Sequence, residues 1–532
     1  MDKKRKVVLG SFVVLTSVFV LFLIKGFIFL DPDFGWRLRT GEMILTSGIP
    51  KSDPFSYTMS TFAWVDHAWS LSTLIYILKL LTGFWGLSLV FSLITLASIL
   101  VTSSRIKTLL TKTKVFAQTN LVLGIPRTSL ILALPVNFTS LGYFAALPVI
   151  LTTSILFTFF GVRAQIVSWL MLAIVLFILF DERKWEKRRF LLPLIFLVWA
   201  NLHGSFVMGL ETFAIFVFFR FLRTKKLEVN ELLLFLVSVL LTLLNPYGSG
   251  IWKEAYSSIS DSSLRFRIIE WMPALMMVNF PMIFFMGFSG AILFKYRSKF
   301  SLEEKGLFVV FLLQALLSRR HLPLWAIVAL PITMQGIYFV WLEASRNKGG
   351  VLRFAKMYVA CWVFAVILFF SQLFLSLREA QFLGQGGFYP KEAVTYLRQN
   401  LPEGQIFSEY GWGGYLIWNL PEKKVFIDGR MPSWRWDAKN ENELNSAFDV
   451  YEDIQRGKVD YKEVFAQFNV TTVLWSKPKK TTPVDNFFKG LEKYLEVFGW
   501  EQNDFDLVSS LEKDGWGKIY EDTTAVIYRK PQ

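Results

Sequence analysis

Asp31-Pro32-Asp33-Phe34-Gly35-Trp36-Arg37 follows directly on an apolar run over 7–30, with no linker between them. Two carboxylates two residues apart, beside a Trp and an Arg, thus stand at the end of a segment long enough to cross a bilayer. Such a pair can share a divalent cation or divide into a base and a ligand. A bare Asp-x-Asp pattern reads equally as a solvated turn. Its place at a membrane boundary is what makes it a candidate site. The run before it opens with Lys3-Lys4-Arg5-Lys6, is interrupted by Lys25 and has no small-residue cleavage pattern before Asp31. It reads as a retained signal-anchor.

Working outward, the apolar runs continue. Spans are expected at 7–30, 86–104, 141–160, 164–180, 204–222, 230–244, 274–294, 303–317, 322–342 and 354–376, with a shorter run at 190–200. Residues 67–82 read as an interfacial helix broken at Gly83. Residues 116–136, with Gly124, Pro126, Arg127 and Pro135, read as a re-entrant hairpin or two short spans. The total is 11 or 13 crossings. The chain has 532 residues, of which 53% are hydrophobic and 19% charged. That composition excludes a disordered chain and an ordinary cytosolic enzyme, and fits an α-helical polytopic membrane protein.

The net charge of +15 is unevenly spread. From Arg378 onward 24 acidic residues outnumber 20 basic ones, while the preceding residues carry +19. Six basic clusters hold most of the excess: Lys3 to Lys6, Arg105 to Lys114, Arg183 to Arg189, Arg220 to Lys226, Lys295 to Lys305 and Arg346 to Lys356. The positive-inside rule places all six in the cytoplasm. Basic residues interleaved with spans form no continuous groove, so no nucleic-acid partner is expected. The odd number of crossings puts the N-terminus inside and the C-terminal part outside. That part, 378–532, reads as an extracytoplasmic α/β domain, against a membrane domain over 1–377 whose first outer loop is 31–85. Its period-two stretches are Lys424-Val425-Phe426-Ile427-Asp428, Thr471-Thr472-Val473-Leu474-Trp475 and a strand pair near Trp516 to Tyr528. Helical patterns lie at 390–400, 460–468 and 486–498.

On this topology His67, His203 and His321 all fall in outer loops, with Arg37, Arg163, Arg319, Arg320, Asp53, Asp66 and Glu270. Loops are polar in any case. Cations at span ends on the outer side nevertheless run against the positive-inside rule, and an anion site there would compensate them. Glu211 lies inside a span, where it reads as a proton-relay group or a carboxyl hydrogen-bonded to a neighbouring helix.

The segment 31–37, with Thr40-Gly41-Glu42 and Gly48-Ile49-Pro50, resembles the first outer loop of GT-C superfamily glycosyltransferases, distantly the oligosaccharyltransferase catalytic subunit. Further motifs resemble bacterial multi-span proteins of glycosyltransferase type. They are Asp53-Pro54-Phe55-Ser56-Tyr57-Thr58, Trp64 with His67 and Trp69, Trp199 to Gly204, Leu244-Asn245-Pro246-Tyr247-Gly248, and Val425-Phe426-Ile427-Asp428-Gly429-Arg430. Two features depart from the pattern. Gly413 follows Trp412 where the oligosaccharyltransferase motif has a carboxylate, and Ala68 and Ser70 replace Glu and Leu of the bacterial set.

The resemblance implies a GT-C-like fold and an enzyme of the cell envelope, in a bacterial cell membrane. It implies sugar transfer, with inversion, from a polyprenyl-phosphate-linked donor to a glycan, lipid or protein acceptor on the outer face. Nucleotide sugars are cytoplasmic, so a donor reaching outward-facing groups should be lipid-anchored. Asp31 is the first choice for base or metal ligand and Asp33 a close second, both serving a divalent cation (Mg²⁺ or Mn²⁺) if transfer depends on a metal. Arg319, Arg320 and His321, with Arg163, would bind the donor phosphate. Arg37, His203, His67, Asp428 and Arg430 are candidate substrate contacts. Two other classes stay open. One is a transporter or flippase of lipid-linked glycans using the same cations, which would favour more charges deep in spans. The other is a non-catalytic glycan-binding member, to which Gly413 points.

Overall fold

The computed structural model describes residues 3–112, 138–180, 185–261, 263–276, 279–347, 349–385, 387–477 and 505–531. The expected hairpin over 116–136 and the helical pattern at 486–498 lie outside these residues. In chain order the longer helices of the first part are α1 (Lys3–Ile28), α2 (Phe34–Thr46), α3 (Trp69–Lys112), α4 (Phe138–Phe159), α5 (Gln165–Leu179), α6 (Leu192–Leu202), α7 (Phe206–Thr224), α8 (Val229–Leu241), α9 (Gly250–Ser260), α10 (Phe280–Lys295), α11 (Leu302–Leu317), α12 (Leu322–Ser345) and α13 (Gly350–Gln385). The chain divides into two compact units. One comprises Met1–Phe27, Thr82–Ala255 and Ile268–Glu379; the other comprises Ile28–Leu81, Tyr256–Arg267 and Ala380–Gln532.

The first unit is helical. Its centre is α12, buried without interruption from Leu322 to Tyr338 and packed on α4, α5, α10 and α11. A helix apolar on every side belongs inside a bundle. Helix α13 shows the opposite arrangement, with Trp362, Val363, Ile367, Phe370 and Phe374 exposed. An apolar outer surface of that extent suits lipid rather than water. Among the described residues, helices over 69–104, 319–345 and 350–384 are long and apolar enough to cross a membrane.

Local chemistry sets the helix ends. Ser301 and Glu304 form a reciprocal capping box that starts α11. Asn279 Oδ1 accepts Met282 N at 3.0 Å, and with Pro281 in the first turn this starts α10 at Phe280. The run expected from 274 therefore opens in a 3₁₀ turn, Ala274–Met276. In α3 the expected break is present at Gly83, whose φ of +66° suits glycine.

The second unit contains α2, the helices α14 (Lys391–Gln399), α15 (Gly413–Asn419), α16 (Ala447–Gln455), α17 (Tyr461–Gln467) and α18 (Leu507–Lys513), and four strands. The strands are β1 (Gln405–Ser408), β2 (Val470–Ser476), β3 (Gly517–Glu521) and β4 (Ala525–Arg529). They form one mixed sheet in the order β1-β2-β4-β3, with β1 parallel to β2 and the other pairs antiparallel. Thus Thr471 to Trp475 and the closing pair are strands, as their alternation indicates.

The stretch Lys424 to Asp428 is not a strand. Val425, Phe426, Ile427 and Asp428 are all buried, so the alternation of its side chains does not mark two faces. Its backbone pairs instead with the first loop. Ser56 bridges Val425 in parallel, Tyr57 N donates to Val425 O at 3.1 Å, and Val425 N donates to Phe55 O at 3.0 Å.

Candidate functional site

In the second unit, the loop 31–33 folds on its own carboxylates. Asp31 Oδ1 accepts Asp33 N at 2.9 Å, and Asp31 O accepts Phe34 N at 3.0 Å. This is an Asx-type turn that leads into α2. Asp33 Oδ1 accepts Trp36 Nε1 at 3.0 Å. Asp31 is buried and Asp33 half-buried. Both carboxylates lie at the N-terminus of α2, where the helix dipole favours negative charge.

Two glycines let α15 close on this loop. A Cβ on Gly35 would lie 1.9 Å from Gly414 O, and one on Gly414 would lie 2.1 Å from Pro32 O. Neither neighbour is a movable side chain. Gly414→Ala should therefore lower stability by about 1–3 kcal/mol through overpacking, read as a fall in the thermal midpoint of the purified protein. Gly413 is equally constrained, since a Cβ there would meet Ile427 O at 2.3 Å and Asp428 Cβ at 2.6 Å. The position where the resembled motif carries a carboxylate takes no side chain in this backbone.

The two motifs 53–58 and 425–430 hold one another. Arg430 lies between two carboxylates. Its Nε and Nη2 donate to Asp428 Oδ1 and Oδ2 at 2.8 and 2.6 Å, and Nη1 lies 2.7 Å from Asp53 Oδ1. Asp53 also accepts Phe55 N and Ser56 N. The rings of Trp64, Phe55, Trp434 and Trp36 surround the guanidinium, with centroids 4.7 to 5.9 Å away. All three charged side chains are 2% exposed or less. Burial raises the Asp428 carboxyl above its usual range against the pull of Arg430. Burial alone would lower Arg430, but Asp428 and Asp53 raise it further.

Arg37 is also buried. Its guanidinium stacks 4.3 Å from the Trp36 ring, and Nη1 lies 3.9 Å from Asp66 Oδ1 without a hydrogen bond. Asp66 Oδ1 accepts Ala68 N, and Oδ2 accepts Ser72 Oγ. Burial raises the Asp66 carboxyl despite Arg37. His67 is half-buried between buried Asp66 and Ala68.

The first unit assembles the cations. Arg319, Arg320 and His321 form a 3₁₀ turn at the head of α12. Arg319 lies 5.4 Å over Phe159 and Arg320 5.1 Å over Trp271. Arg163 Nη1 pairs with Glu270 Oε1 at 2.9 Å. Burial alone would raise the Glu270 carboxyl, yet Arg163, Arg320 and Arg319 hold it below the usual range. Lys25, which the sequence showed only as an interruption of an apolar run, belongs here as well. Its Nζ donates to Phe157 O and Thr158 O at 2.6 and 3.1 Å, in the last turn of α4. That is where a helix favours a cation. Glu379 interacts with both Lys25 and Arg319. Lys25, Arg163, Arg319 and Arg320 thus gather with Glu270 and Glu379 among the described residues.

Arg320, His321 and Glu270 line a small cleft with Ser168, Ser205 and Phe159. Ser168 had no sequence signal beyond being the one hydroxyl in the apolar α5. It connects His203 to this cleft. Trp199 Nε1 donates to Ser168 Oγ at 2.9 Å, and Ser168 Oγ lies 2.9 Å from His203 Nδ1. Ser205 N also donates to Nδ1, at 3.3 Å. A backbone N–H can only donate, so Nδ1 is an acceptor and the neutral ring carries its proton on Nε2. Glu211 Oε1 accepts Gln314 Nε2 from α11 at 2.6 Å, the bond to a neighbouring helix.

Among the described residues, no three His, Cys, Asp or Glu side chains are placed to hold a metal ion. Asp31 Oδ1 is committed to its own loop and Asp33 Oδ1 to Trp36. The pair does not by itself form a cation cage.

No protein-family model and no curated protein matches the chain. Solved structures do. The archaeal oligosaccharyltransferase AglB from Archaeoglobus fulgidus, in complex with an inhibitory peptide and a dolichol-phosphate, aligns with a TM-score of 0.50 and 11% identity, covering 97% of this chain and 74% of that one. The oligosaccharyltransferase of the same organism, tethered with an acceptor peptide containing the NVT sequon, aligns with a TM-score of 0.50 and 12% identity over 97% and 74%. ArnT from Cupriavidus metallidurans, bound to undecaprenyl phosphate, gives 0.47 and 12% over 98% and 99%. At these identities the likeness is one of fold: the chain shares the fold of these oligosaccharyltransferase structures.

Proposed function

We propose that this chain is an integral-membrane glycosyltransferase that moves a sugar, with inversion, from a polyprenyl-phosphate-linked donor to an acceptor on the outer face of the membrane. The observation that carries the reading is the clustering of cations at the Arg320–His321 cleft. Arg320 and His321 line it, Arg163 pairs with Glu270 of its wall, Arg319 adjoins them in the same turn, and the wall includes apolar Phe159, Pro323 and Leu324. Clustered cations beside apolar walls suit a phosphate carried on a hydrocarbon tail. The AglB structure of the same fold holds a dolichol-phosphate. The charge distribution of the sequence supports a cytoplasmic N-terminus and a C-terminal domain outside.

Within the carboxylate pair the geometry favours a division of labour. Asp31, buried and bonded to its own loop, shapes the turn. Asp33, the more exposed, orients the acceptor hydroxyl or amide and draws off its proton as the acceptor attacks the anomeric carbon. The carbon–oxygen bond to the donor phosphate breaks in the same step, and the released phosphate keeps the electron pair. The cation cluster stabilises that charge. The hydrogen bond from Gln314 gives Glu211 a structural partner, which supports the enzyme over a transporter with an intramembrane relay.

The test uses purified wild type, Asp31→Asn and Asp33→Asn with a panel of labelled polyprenyl-phosphate sugars. Wild type should release polyprenyl phosphate, and Asp33→Asn should be slower by about 10²-fold. No release by wild type on any donor would sink the reading. Full activity in both single variants would move the base elsewhere.

A further inference from the structure

The turn Asp428-Gly429-Arg430 has a bearing on Asp33. A Cβ on Gly429 would lie 2.1 Å from Asp33 Oδ1 and 3.2 Å from Asp33 Cγ. Bare backbone at 429 therefore packs directly on the carboxylate. The same oxygen accepts Trp36 Nε1 at 3.0 Å. Asp33 is thus bounded by an indole N–H and by bare backbone where a Cβ would push the carboxylate aside. Gly429 is not among the glycines with positive φ. The turn itself does not need a glycine, so the space next to Asp33 does.

Gly429 is fixed from both sides. Arg430 N donates to Asp428 Oδ1 at 3.0 Å, and Met431 N donates to Asp428 O at 3.1 Å. Arg430 is tied to Asp53 in the first loop and stacks with Trp36, the residue that bonds Asp33. One buried network therefore holds both boundaries of the Asp33 carboxylate.

We infer that Gly429, held by the Asp53–Arg430–Asp428 network, is a positioning residue that sets the Asp33 carboxylate for transfer; this rests on the reading of Asp33 as the group that engages the acceptor. A misplacement of about 1 Å can cost on the order of 10²-fold in rate. An alanine at 429 would displace the carboxylate, the neighbour its Cβ meets.

The experiment is a double-mutant cycle on the full-length protein, using a labelled polyprenyl-phosphate sugar that wild type consumes. Gly429→Ala should lower kcat by about 10- to 10²-fold, with the donor KM unchanged. In the Asp33→Asn background the same change should cost nothing further, because the carboxylate it displaces no longer works as a base. Thermal unfolding is measured alongside. If Gly429→Ala folds poorly, Gly429→Ala with Asp33→Gly should recover the lost midpoint, since the new Cβ then has room. Wild-type kcat in a folded Gly429→Ala, a loss that adds in full to that of Asp33→Asn, or no thermal recovery with Asp33→Gly would each overturn the inference while leaving the transferase reading intact. A wild type inactive on every donor overturns the transferase reading and the role given to the turn with it.

Discussion

Arg430→Gln should cost the second unit about 3–5 kcal/mol, which is the usual penalty for removing one partner of a buried ion pair. Two carboxylates, Asp53 and Asp428, would be left buried beside a neutral amide, inside a box of Phe55, Trp36, Trp64 and Trp434. The loss should depend on pH, and the sign follows from Asp428. Its carboxyl is raised in the folded protein by burial even with Arg430 in place. A carboxyl raised on folding binds more protons folded than unfolded between its ordinary and its raised value. Stability therefore falls as pH rises through that window. Removing the guanidinium takes away the main pull downward and moves the window up. The deficit of Arg430→Gln relative to wild type should be smallest on the acid side of that window and grow as pH rises through it, read as thermal midpoints in detergent. Arg430→Met combined with Asp53→Asn and Asp428→Asn should recover much of the loss, because no charge then remains buried. A deficit that does not change with pH would assign the cost to lost packing around the guanidinium, not to stranded charge.

How much of this was legible follows from which interactions are local. The helices came from apolar periodicity and length, whereas their exact ends rest on caps such as Ser301 with Glu304, which the apolar runs alone do not mark. The α/β character of the C-terminal region came from alternation at 471–475. The Asp31–Arg37 segment stood out because two charges adjoin an apolar run. By contrast, nothing local says that Asp53 and Arg430 are partners, since the pairing is a property of the fold and not of either motif. The stretch 424–428 shows how a local rule fails. Alternation implies a strand only when one face is solvated, and here both faces are buried. Lys25 and Ser168 were obscured for a related reason. A single polar residue in an apolar helix breaks no periodicity, and its role lies in carbonyls and ring nitrogens far away in sequence. Nothing local marks the glycines at 35, 413, 414 and 429 as packing residues. Their actual function is to leave room for another backbone or for a carboxylate.

Arg319→Ala with Arg320→Ala should lower polyprenyl phosphate release by about 10³-fold, on the scale of removing fixed charge from a developing anion. The reasoning starts from placement. Both guanidiniums are held on aromatic faces, Arg319 on Phe159 and Arg320 on Trp271, so their positions are set before a donor arrives. Preorganised cations stabilise the leaving phosphate without reorganising in the step itself. Arg-to-Lys replacements should rescue only part of the rate, because an ammonium neither stacks in the same way nor offers two parallel donors to a phosphate. Glu270 supplies a second readout that does not require turnover. Its carboxyl is held below the usual range by Arg163, Arg320 and Arg319, so it stabilises the folded protein above its ordinary value and loses that contribution as pH falls through the lowered one. In the double variant only Arg163 remains of the three. The lowered value moves back toward the ordinary one, so Glu270 contributes less stability at neutral pH and the loss on acidification should be smaller than in wild type. A double variant with wild-type kcat and donor KM but shifted acid stability would place the donor phosphate away from this turn. The Arg319–His321 run would then be what its position at the end of a span also suggests, an anchor at the membrane interface.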